Sequence, residues 1–262
     1  MIVATAQKCL TEFEASFKVL ETTNLMSALG LIVIVQITKS GNVLVAGPST
    51  IPQTKALIKI LSKYELEKVF VDGAFSKTTF ASISDAIIYC IGASYSNDFN
   101  KIIRDSVLKL KVFNLPQIDI KLDLENIKNI ALIDKFNNIE ILDISSTIID
   151  GSKIFEKIND NTKYLYIPKV VSKSFIEAFI ENRENINFDI ILKSPTSLVL
   201  DERLLNKIFL LKQKIYVLKQ VNIVAIAFNP FSPTGYSYDS KVFRCELEKN
   251  INLPIFNVLE ER

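Results

Sequence analysis

The stretch that decides the fold class is Val221-Asn222-Ile223-Val224-Ala225-Ile226-Ala227-Phe228. It is almost continuously apolar and rich in β-branched residues, a pattern typical of a strand buried on both faces of a parallel sheet. We therefore predict that residues 221–228 form a central strand. A helix is predicted to follow at about 240–249, because Asp239 is a good N-cap for the helical pattern after it.

Strands and helices are predicted to alternate along most of the chain. Apolar runs predict strands at 31–37, 43–46, 69–71, 86–91, 130–133, 164–167 and 188–192, with an edge strand at 254–259. Helical spacing predicts helices at about 52–64 and 98–112, and two more through Phe175 and through Leu204. This order predicts an α/β fold: a doubly wound, mostly parallel sheet with helices on both faces, Rossmann-like or phosphate-loop-like.

The N-terminal part adds an antiparallel hairpin to this prediction. Its two strands are 31–37 and 43–46, and Lys39-Ser40-Gly41 between them is typical of a turn with Gly41 at positive φ. The pattern breaks at Leu115-Pro116, which predicts an N-terminal α/β region at 1–116 and a C-terminal α/β region at 117–262. The alternative is a surface loop within one continuous domain.

Composition excludes several classes of protein. The 262 residues are 48% hydrophobic, with 31 Lys+Arg against 29 Asp+Glu, which is a globular profile and not that of a disordered or collagenous chain. The net charge of +2 gives no reason to expect nucleic-acid binding. The chain has no histidine, which excludes imidazole bases and histidine zinc ligands.

Cysteine spacing and apolar run lengths indicate a cytoplasmic protein. Cys9, Cys90 and Cys245 are too far apart in sequence for a CxxC redox pair or a recognisable metal cluster, so we expect reduced thiols. No signal-peptide pattern is present at the N-terminus, and the apolar runs are shorter than the roughly 18–20 residues that span a bilayer. We therefore expect a cytoplasmic protein that does not bind membranes.

Four loops qualify as ligand-binding positions. In a doubly wound sheet, ligands bind where the carboxyl ends of strands meet helix N-termini. The qualifying loops are 47–50, 72–74, 92–96 and 229–239. None of them matches GxxxxGK(S/T) or GxGxxG, so these two kinds of nucleotide binding are unsupported, and no catalytic residue is predicted.

The candidate ligand- or partner-binding residues lie in or beside these loops. They are Gly47, Pro48, Ser49, Asp72, Gly73, Lys77, Gly92, Ser94, Ser96, Asn229, Ser232, Thr234, Gly235 and Tyr236. Asp72 follows an apolar run, which is the position of the acidic residue that binds Mg²⁺ through water in a phosphate-loop protein. The alternative is that the Asp72 carboxylate caps the turn. Lys77 could face the same site or be solvated. Ser94 and Ser96 could contact an anion, and 47–50 could equally be a capped turn.

Loop 229–239 combines rigid backbone positions with polar groups. Pro230, Pro233 and Gly235 restrict its geometry, and Tyr236 and Tyr238 follow with hydroxyl residues around them. Because loops after parallel strands share one rim, we predict that it lies at the same rim as Asp72 and Gly92. The alternative is that its aromatic residues cover the sheet edge.

Assembled in order, several short motifs resemble one family. They are Val3-Ala4-Thr5-Ala6-Gln7-Lys8-Cys9-Leu10, Leu20-Glu21-Thr22-Thr23, Ala28-Leu29-Gly30, Ile32-Val33-Ile34-Val35, Val45-Ala46-Gly47-Pro48-Ser49, Val71-Asp72-Gly73-Ala74, Ile91-Gly92-Ala93-Ser94, Asn229-Pro230-Phe231-Ser232-Pro233 and Gly235-Tyr236. The chain resembles the reactivase subunit encoded beside lysine 5,6-aminomutase and D-ornithine aminomutase in amino-acid-fermenting anaerobes. The similarity covers mainly residues 1–115 and a short stretch near the C-terminus.

The resemblance implies a chaperone-like function without autonomous catalysis. Such subunits work with a mismatch-repair-like ATPase to exchange the damaged cofactor of an adenosylcobalamin-dependent aminomutase in lysine fermentation or ornithine degradation. The resemblance thus implies that the ATPase partner binds ATP and Mg²⁺ and that the mutase binds adenosylcobalamin. The chain departs from the family where Gln36 and Phe75-Ser76 replace basic residues, and longer relatives have a segment before the position of Met1. The alternative is a nucleotide- or phosphate-binding α/β protein that uses Asp72 with loops 47–50 and 92–96.

Overall fold

The computed structural model describes residues 1–72, 83–144, 146–182 and 186–260. These residues form a mixed α/β architecture with three sheets, so the α/β class is confirmed. The chain divides into two compact units, Met1–Ile83 and Ser84–Arg262. The sequence predicts a boundary at 116/117, whereas these units divide at 83/84.

The N-terminal unit is an antiparallel sheet with one helix. Its strands β1 (Ile2–Ala6), β2 (Ser16–Ser27) and β3 (Gly30–Lys39) lie in the order β1-β3-β2. Helix α1 (Ile51–Leu61), which confirms the helix predicted at 52–64, buries Leu57 and Leu61 against Ile32 and Ile34 of β3. Alternate residues of β3 contact Phe13 and Phe17 on the opposite face. Both faces of β3 are thus buried, which explains its continuously apolar sequence.

The predicted N-terminal antiparallel hairpin is present, but it uses another partner strand. Strand β3 pairs with β2, and Gly30 has a φ of 110° at the turn between them. Residues 43–46 run beside β1 but form no strand. Ala6 N donates to Ala46 O at 2.9 Å, and the other hydrogen bonds between β1 and this segment come from the Thr5 hydroxyl, which donates to Leu44 O and accepts from Ala46 N. The prediction of a positive φ at Gly41 is also wrong. A Cβ at Gly41 would lie 2.6 Å from Ala15 N, so close packing requires glycine there.

The prediction of a strand at 69–71 is wrong. These residues are outside any strand and exposed, with 87% of Phe70 accessible. Three β-prone residues form a strand only when a neighbouring strand pairs with them, and a local apolar pattern carries no information about that neighbour.

The second unit contains the remaining strands and helices. Its strands are β4 (Ile87–Gly92), β5 (Ala131–Asp134), β6 (Ile139–Ile141), β7 (Thr162–Ile167), β8 (Asp189–Leu192), β9 (Ile215–Val217), β10 (Ile223–Asn229) and β11 (Ile255–Asn257). Its helices are α2 (Phe99–Phe113), α3 (Thr147–Lys157), α4 (Lys173–Glu181), α5 (Glu202–Phe209) and α6 (Ser240–Asn250). The strands and helices predicted for this part of the chain are all found within a few residues of their expected positions.

The first sheet of this unit is parallel, in the order β11-β10-β4. Strand β10 is central, as its sequence predicts, and β11 lies at an edge. Helices α2 and α6 pack on the face that carries Tyr89 and Phe228. The Phe228 and Phe243 rings are 5.1 Å apart, and the Tyr89 and Phe113 rings are 6.0 Å apart.

The second sheet has the order β6-β5-β7-β8-β9. Strands β7, β8 and β9 are parallel, whereas β5 runs antiparallel to both of its neighbours. One face of the sheet packs on α2, α3, α4 and α5 in a single core. The other face, which includes Tyr166 and Ile191, is covered by Leu124 and its neighbours in 118–127. Because the described helices lie on one face of this sheet, the doubly wound arrangement is not confirmed.

Candidate functional site

The loops after β4 and β10 emerge at one rim of the parallel sheet. The two strands are neighbours in register, with Phe228 opposite Ile91 and Asn229 opposite Gly92. The prediction that loop 229–239 lies at the same rim as Gly92 is therefore confirmed. The same prediction is not confirmed for Asp72. Residues 69–71, directly before Asp72, form no strand, and Asp72 belongs to the N-terminal unit. We call residues 92–98 and 229–239 the β4/β10 rim.

Loop 229–239 folds back on itself as a tight hairpin-like turn. Ser232 N donates to Tyr236 O at 2.8 Å, and Tyr238 N donates to Pro230 O at 2.9 Å. Gly235 has a φ of 98° at the tip, and its N–H donates to Ser232 O at 3.0 Å. A residue with a Cβ would be strained at this φ, so Gly235 has the backbone role that the sequence predicts.

Two tyrosine hydroxyls hold this turn against the loop after β4. Tyr236 Oη donates to Ala93 O at 2.7 Å, and Tyr238 Oη donates to Ser96 O at 3.0 Å. The Tyr238 ring also contacts Phe99 of α2, with 5.2 Å between centroids. Burial, followed by the nearby Tyr236 and Asp98, raises the pKa of Tyr238. Both loops of the β4/β10 rim are therefore braced.

Most polar candidates of the β4/β10 rim are engaged within the loops. Asn229 Oδ1 accepts from Phe231 N at 3.0 Å, and the Ser232 and Thr234 hydroxyls are 2.8 Å apart. Ser96 Oγ accepts from Asp98 N at 3.0 Å. These side chains therefore shape the loops themselves.

The β4/β10 rim exposes two aromatic side chains among mostly polar residues. Phe231 is 50% exposed and Tyr95 is 49% exposed, and Ser94, Thr234 and Gly235 are exposed as well. Tyr95 Oη donates to Asp105 Oδ2 at 2.7 Å, and this bond is the main reason why the pKa of Tyr95 is raised. Exposed rings on braced backbone are suited to contact with another macromolecule.

The remaining candidates are not among the residues that define the β4/β10 rim. Gly47, Pro48 and Ser49 precede α1 in the N-terminal unit, where Thr50 is the N-cap residue and Pro52 lies in the first turn, as predicted. Asp72 is exposed. Gly73 and Lys77 lie outside the described residues. Across the described ranges, no group of three or more Cys, Asp or Glu side chains could hold a metal ion, and no helix is long and apolar enough to cross a membrane.

A second rim carries hydroxyl residues that sequence reasoning missed. At the carboxyl end of β7, Ser172 N donates to Thr147 Oγ1 at 2.8 Å, and Ser172 Oγ donates to Thr147 O at 2.9 Å. After β8, the buried hydroxyls of Ser194 and Thr196 are 2.7 Å apart. The rule that selected the four loops also selects the Ser194-Pro195-Thr196 turn, because it follows an apolar run. These hydroxyls link α3 to α4 and stabilise the turn after β8.

A charged groove of about 220 Å³ is lined by residues of α4 and α5 and by Asp201, the N-cap of α5. Lys173 is within 4 Å of both Glu177 and Asp201 there, at 3.8 and 3.7 Å. These ion pairs are exposed, so they contribute little to stability. The groove contains none of the predicted site residues, and Lys173 directly follows Ser172 of the second rim.

No protein-family model, curated protein or solved structure matches this chain. The resemblance to the reactivase subunit therefore rests on the sequence motifs alone. The geometry of the β4/β10 rim is the structural feature against which that hypothesis can be tested.

Proposed function

We propose that this chain is a non-catalytic or ATPase-assisting subunit of a factor that reactivates an adenosylcobalamin-dependent aminomutase. The order of the sequence motifs supports this family. The observation that carries the proposal is the bracing of loop 229–239 by Tyr236 and Tyr238, which leaves Phe231 and Tyr95 exposed. The β4/β10 rim is the proposed docking surface for a partner protein.

Braced geometry favours this role for a physical reason. A loop that is already ordered loses less conformational entropy when it binds, so more of the contact energy appears as affinity. Aromatic side chains are enriched among the residues that dominate protein interfaces. Phe231 and Tyr95 meet both conditions, since hydrogen bonds hold the backbone of the loops that carry them.

The proposed partners are the aminomutase and a mismatch-repair-like ATPase, in the cytoplasm, with no role for nucleic acid or membrane. In this scheme ATP and Mg²⁺ act on the ATPase, and adenosylcobalamin is bound by the mutase. A subunit that binds the open mutase more tightly than the closed one shifts the equilibrium towards cofactor release. Nucleotide hydrolysis by the partner then resets the complex.

The finer fold assignment belongs to the same proposal. Strands β7, β8 and β9 alternate with α4 and α5, and β10, α6 and β11 form another βαβ unit. These units support a Rossmann-like or phosphate-loop-like relationship. A doubly wound sheet also requires helices on the second face, and an experimental structure of the whole chain would test for them.

A reactivation assay tests the proposed function. Lysine 5,6-aminomutase or D-ornithine aminomutase is inactivated during turnover and then supplied with ATP, Mg²⁺, fresh adenosylcobalamin and the ATPase. We expect mutase activity to return only when this chain is added. Recovery no greater than with fresh cofactor and ATPase alone would contradict the proposal.

A further inference from the structure

A cluster of polar side chains lies where β10 and β11 end and α6 begins. Asn257 is the last residue of β11, Ser240 is the first residue of α6, and Arg244 lies one turn further along α6. The carboxyl ends of parallel strands are where open α/β sheets bind ligands. None of these three residues belongs to the β4/β10 rim as defined above.

Glu260 of the same chain occupies the centre of this cluster. Arg244 Nη2 donates to Glu260 Oε2 at 2.8 Å, and Asn257 Nδ2 donates to Glu260 Oε1 at 3.3 Å. Asn257 is 8% exposed, and its orientation is held by two more bonds, one to Ser240 Oγ and one from Leu259 N. A cation and a preoriented amide therefore bind both oxygens of one carboxylate.

Glu260 leaves one donor of this cluster without a partner. Arg244 Nε is buried and has no hydrogen-bond partner among the described residues. Nε and Nη2 lie on the same side of the guanidinium group and form the fork that binds oxyanions side-on. As Glu260 lies, its two oxygens accept from Nη2 and Nδ2 and leave Nε unpaired. A group with three oxygens on one atom could place a separate oxygen on each of the three donors.

We propose that Arg244 and Asn257 form a binding site for a phosphate-type oxyanion, and that Glu260 occupies this site as an internal competitor. The incoming group takes the Nη2 and Nδ2 donors from Glu260 and offers a third oxygen to Nε. The Glu260 side chain is 53% exposed, so it can leave without disturbing the core. This inference concerns the chain alone and does not depend on the proposed partners.

Isothermal titration of the full chain with inorganic phosphate tests the site. Glu260→Gln removes the competing charge. We expect it to lower the Kd for phosphate about tenfold, which corresponds to the free energy of about one charge-assisted hydrogen bond. In the Glu260→Gln background, Arg244→Lys keeps a cation but loses the side-on fork, so the Kd should rise at least about tenfold. Glu246→Gln, which removes the acid paired with Lys249 on the same helix, should leave the Kd unchanged.

Two outcomes would overturn the proposal. One is a Glu260→Gln protein that binds phosphate no more tightly than wild type. The other is an Arg244→Lys, Glu260→Gln protein that binds it as well as its parent. A parallel titration with glycerol phosphate shows whether the site binds a phosphate attached to a larger molecule or only the free ion. The ¹⁵N shift of Arg244 Nε in the wild type should also move at high phosphate, and an unchanged shift contradicts the site even if a variant misfolds.

Discussion

Tyr166 has a fully buried phenol with no hydrogen-bond partner among the described residues. Its ring packs with Ile133 and Ile191 on the face of the five-stranded sheet that 118–127 covers. Burial, followed by the charge of Glu125, raises the pKa of Tyr166 to about 12. The Tyr236 hydroxyl, by contrast, donates to Ala93 O. The two tyrosines thus form a matched pair for testing what a hydroxyl contributes.

Removing the Tyr166 hydroxyl and removing the Tyr236 hydroxyl should have different effects on the free energy of unfolding. Tyr166→Phe deletes an unpaired buried donor, so we expect the free energy of unfolding to stay constant or rise by up to about 1 kcal/mol. Tyr236→Phe breaks a hydrogen bond and should lower it by about 1 kcal/mol. Urea unfolding followed by circular dichroism measures both. A loss at Tyr166→Phe as large as that at Tyr236→Phe would show that the Tyr166 hydroxyl is bonded.

The raised pKa of Tyr166 also predicts how stability changes in alkaline solution. Because the folded pKa lies above the ordinary value of 10.0, this group's contribution is fully present below pH 10 and is lost as the pH rises towards 12. Tyr166→Phe should therefore lose less stability than the wild type between pH 10 and pH 12. Parallel losses in the two proteins would mean that Tyr166 ionises normally in the fold.

At the scale of single elements, N-caps differ in strength across the second unit. Asp239 Oδ1 accepts from both Lys241 N and Val242 N at 2.9 Å, whereas Asp98 Oδ1 accepts only from Lys101 N at 3.2 Å. We expect Asp239→Ala to lower the free energy of unfolding by about 1–2 kcal/mol and Asp98→Ala by about 0.5 kcal/mol. Thermal unfolding of the two variants checks this order, and the reverse order would contradict it.

The caps of α2 and α6 show why these two helices could be predicted from sequence. Asp239 and Asp98 act on backbone N–H groups two or three residues away, so the signal that starts α6 or α2 is local. Strand pairing is not local. Residues 69–71 have β-prone side chains and no pairing strand in the described part of the chain, and 43–46 is joined to β1 by the Thr5 side chain and one backbone bond from Ala6 to Ala46. The prediction was wrong where a segment depended on a partner distant in sequence.

The candidate site could also be predicted from the sequence only in part. The sequence predicts that the loops after β4 and β10 share a rim, because both strands are apolar enough to be parallel neighbours. It does not predict the hydrogen bond from Tyr236 to Ala93, which joins residues 143 positions apart. Nor does it associate Arg244 with Asn257 and Glu260, since α6 and β11 each have an ordinary pattern when considered alone.

For the whole molecule, the position of the division between units can be tested with fragments. Residues 84–262 retain the pairing of β4 with β10 and the packing of α2 against the five-stranded sheet, so we expect this fragment to unfold cooperatively. A fragment of residues 117–262 lacks β4 and α2 and should lose the cooperative transition. Calorimetry measures both. A cooperative transition in 117–262 would support the boundary that the sequence predicts.

The affinity of the β4/β10 rim for its partners tests the central claim most directly. Binding of this chain to the ATPase and to the aminomutase is measured by calorimetry for wild type, Phe231→Ala and Phe136→Ala. Phe136 is 80% exposed on the turn between β5 and β6, which makes it a matched control. We predict that Phe231→Ala weakens binding to one partner at least about tenfold, as for an interface hot spot, and that Phe136→Ala does not. Equal affinities for Phe231→Ala and Phe136→Ala, or no binding of the wild type to either protein, would contradict the account.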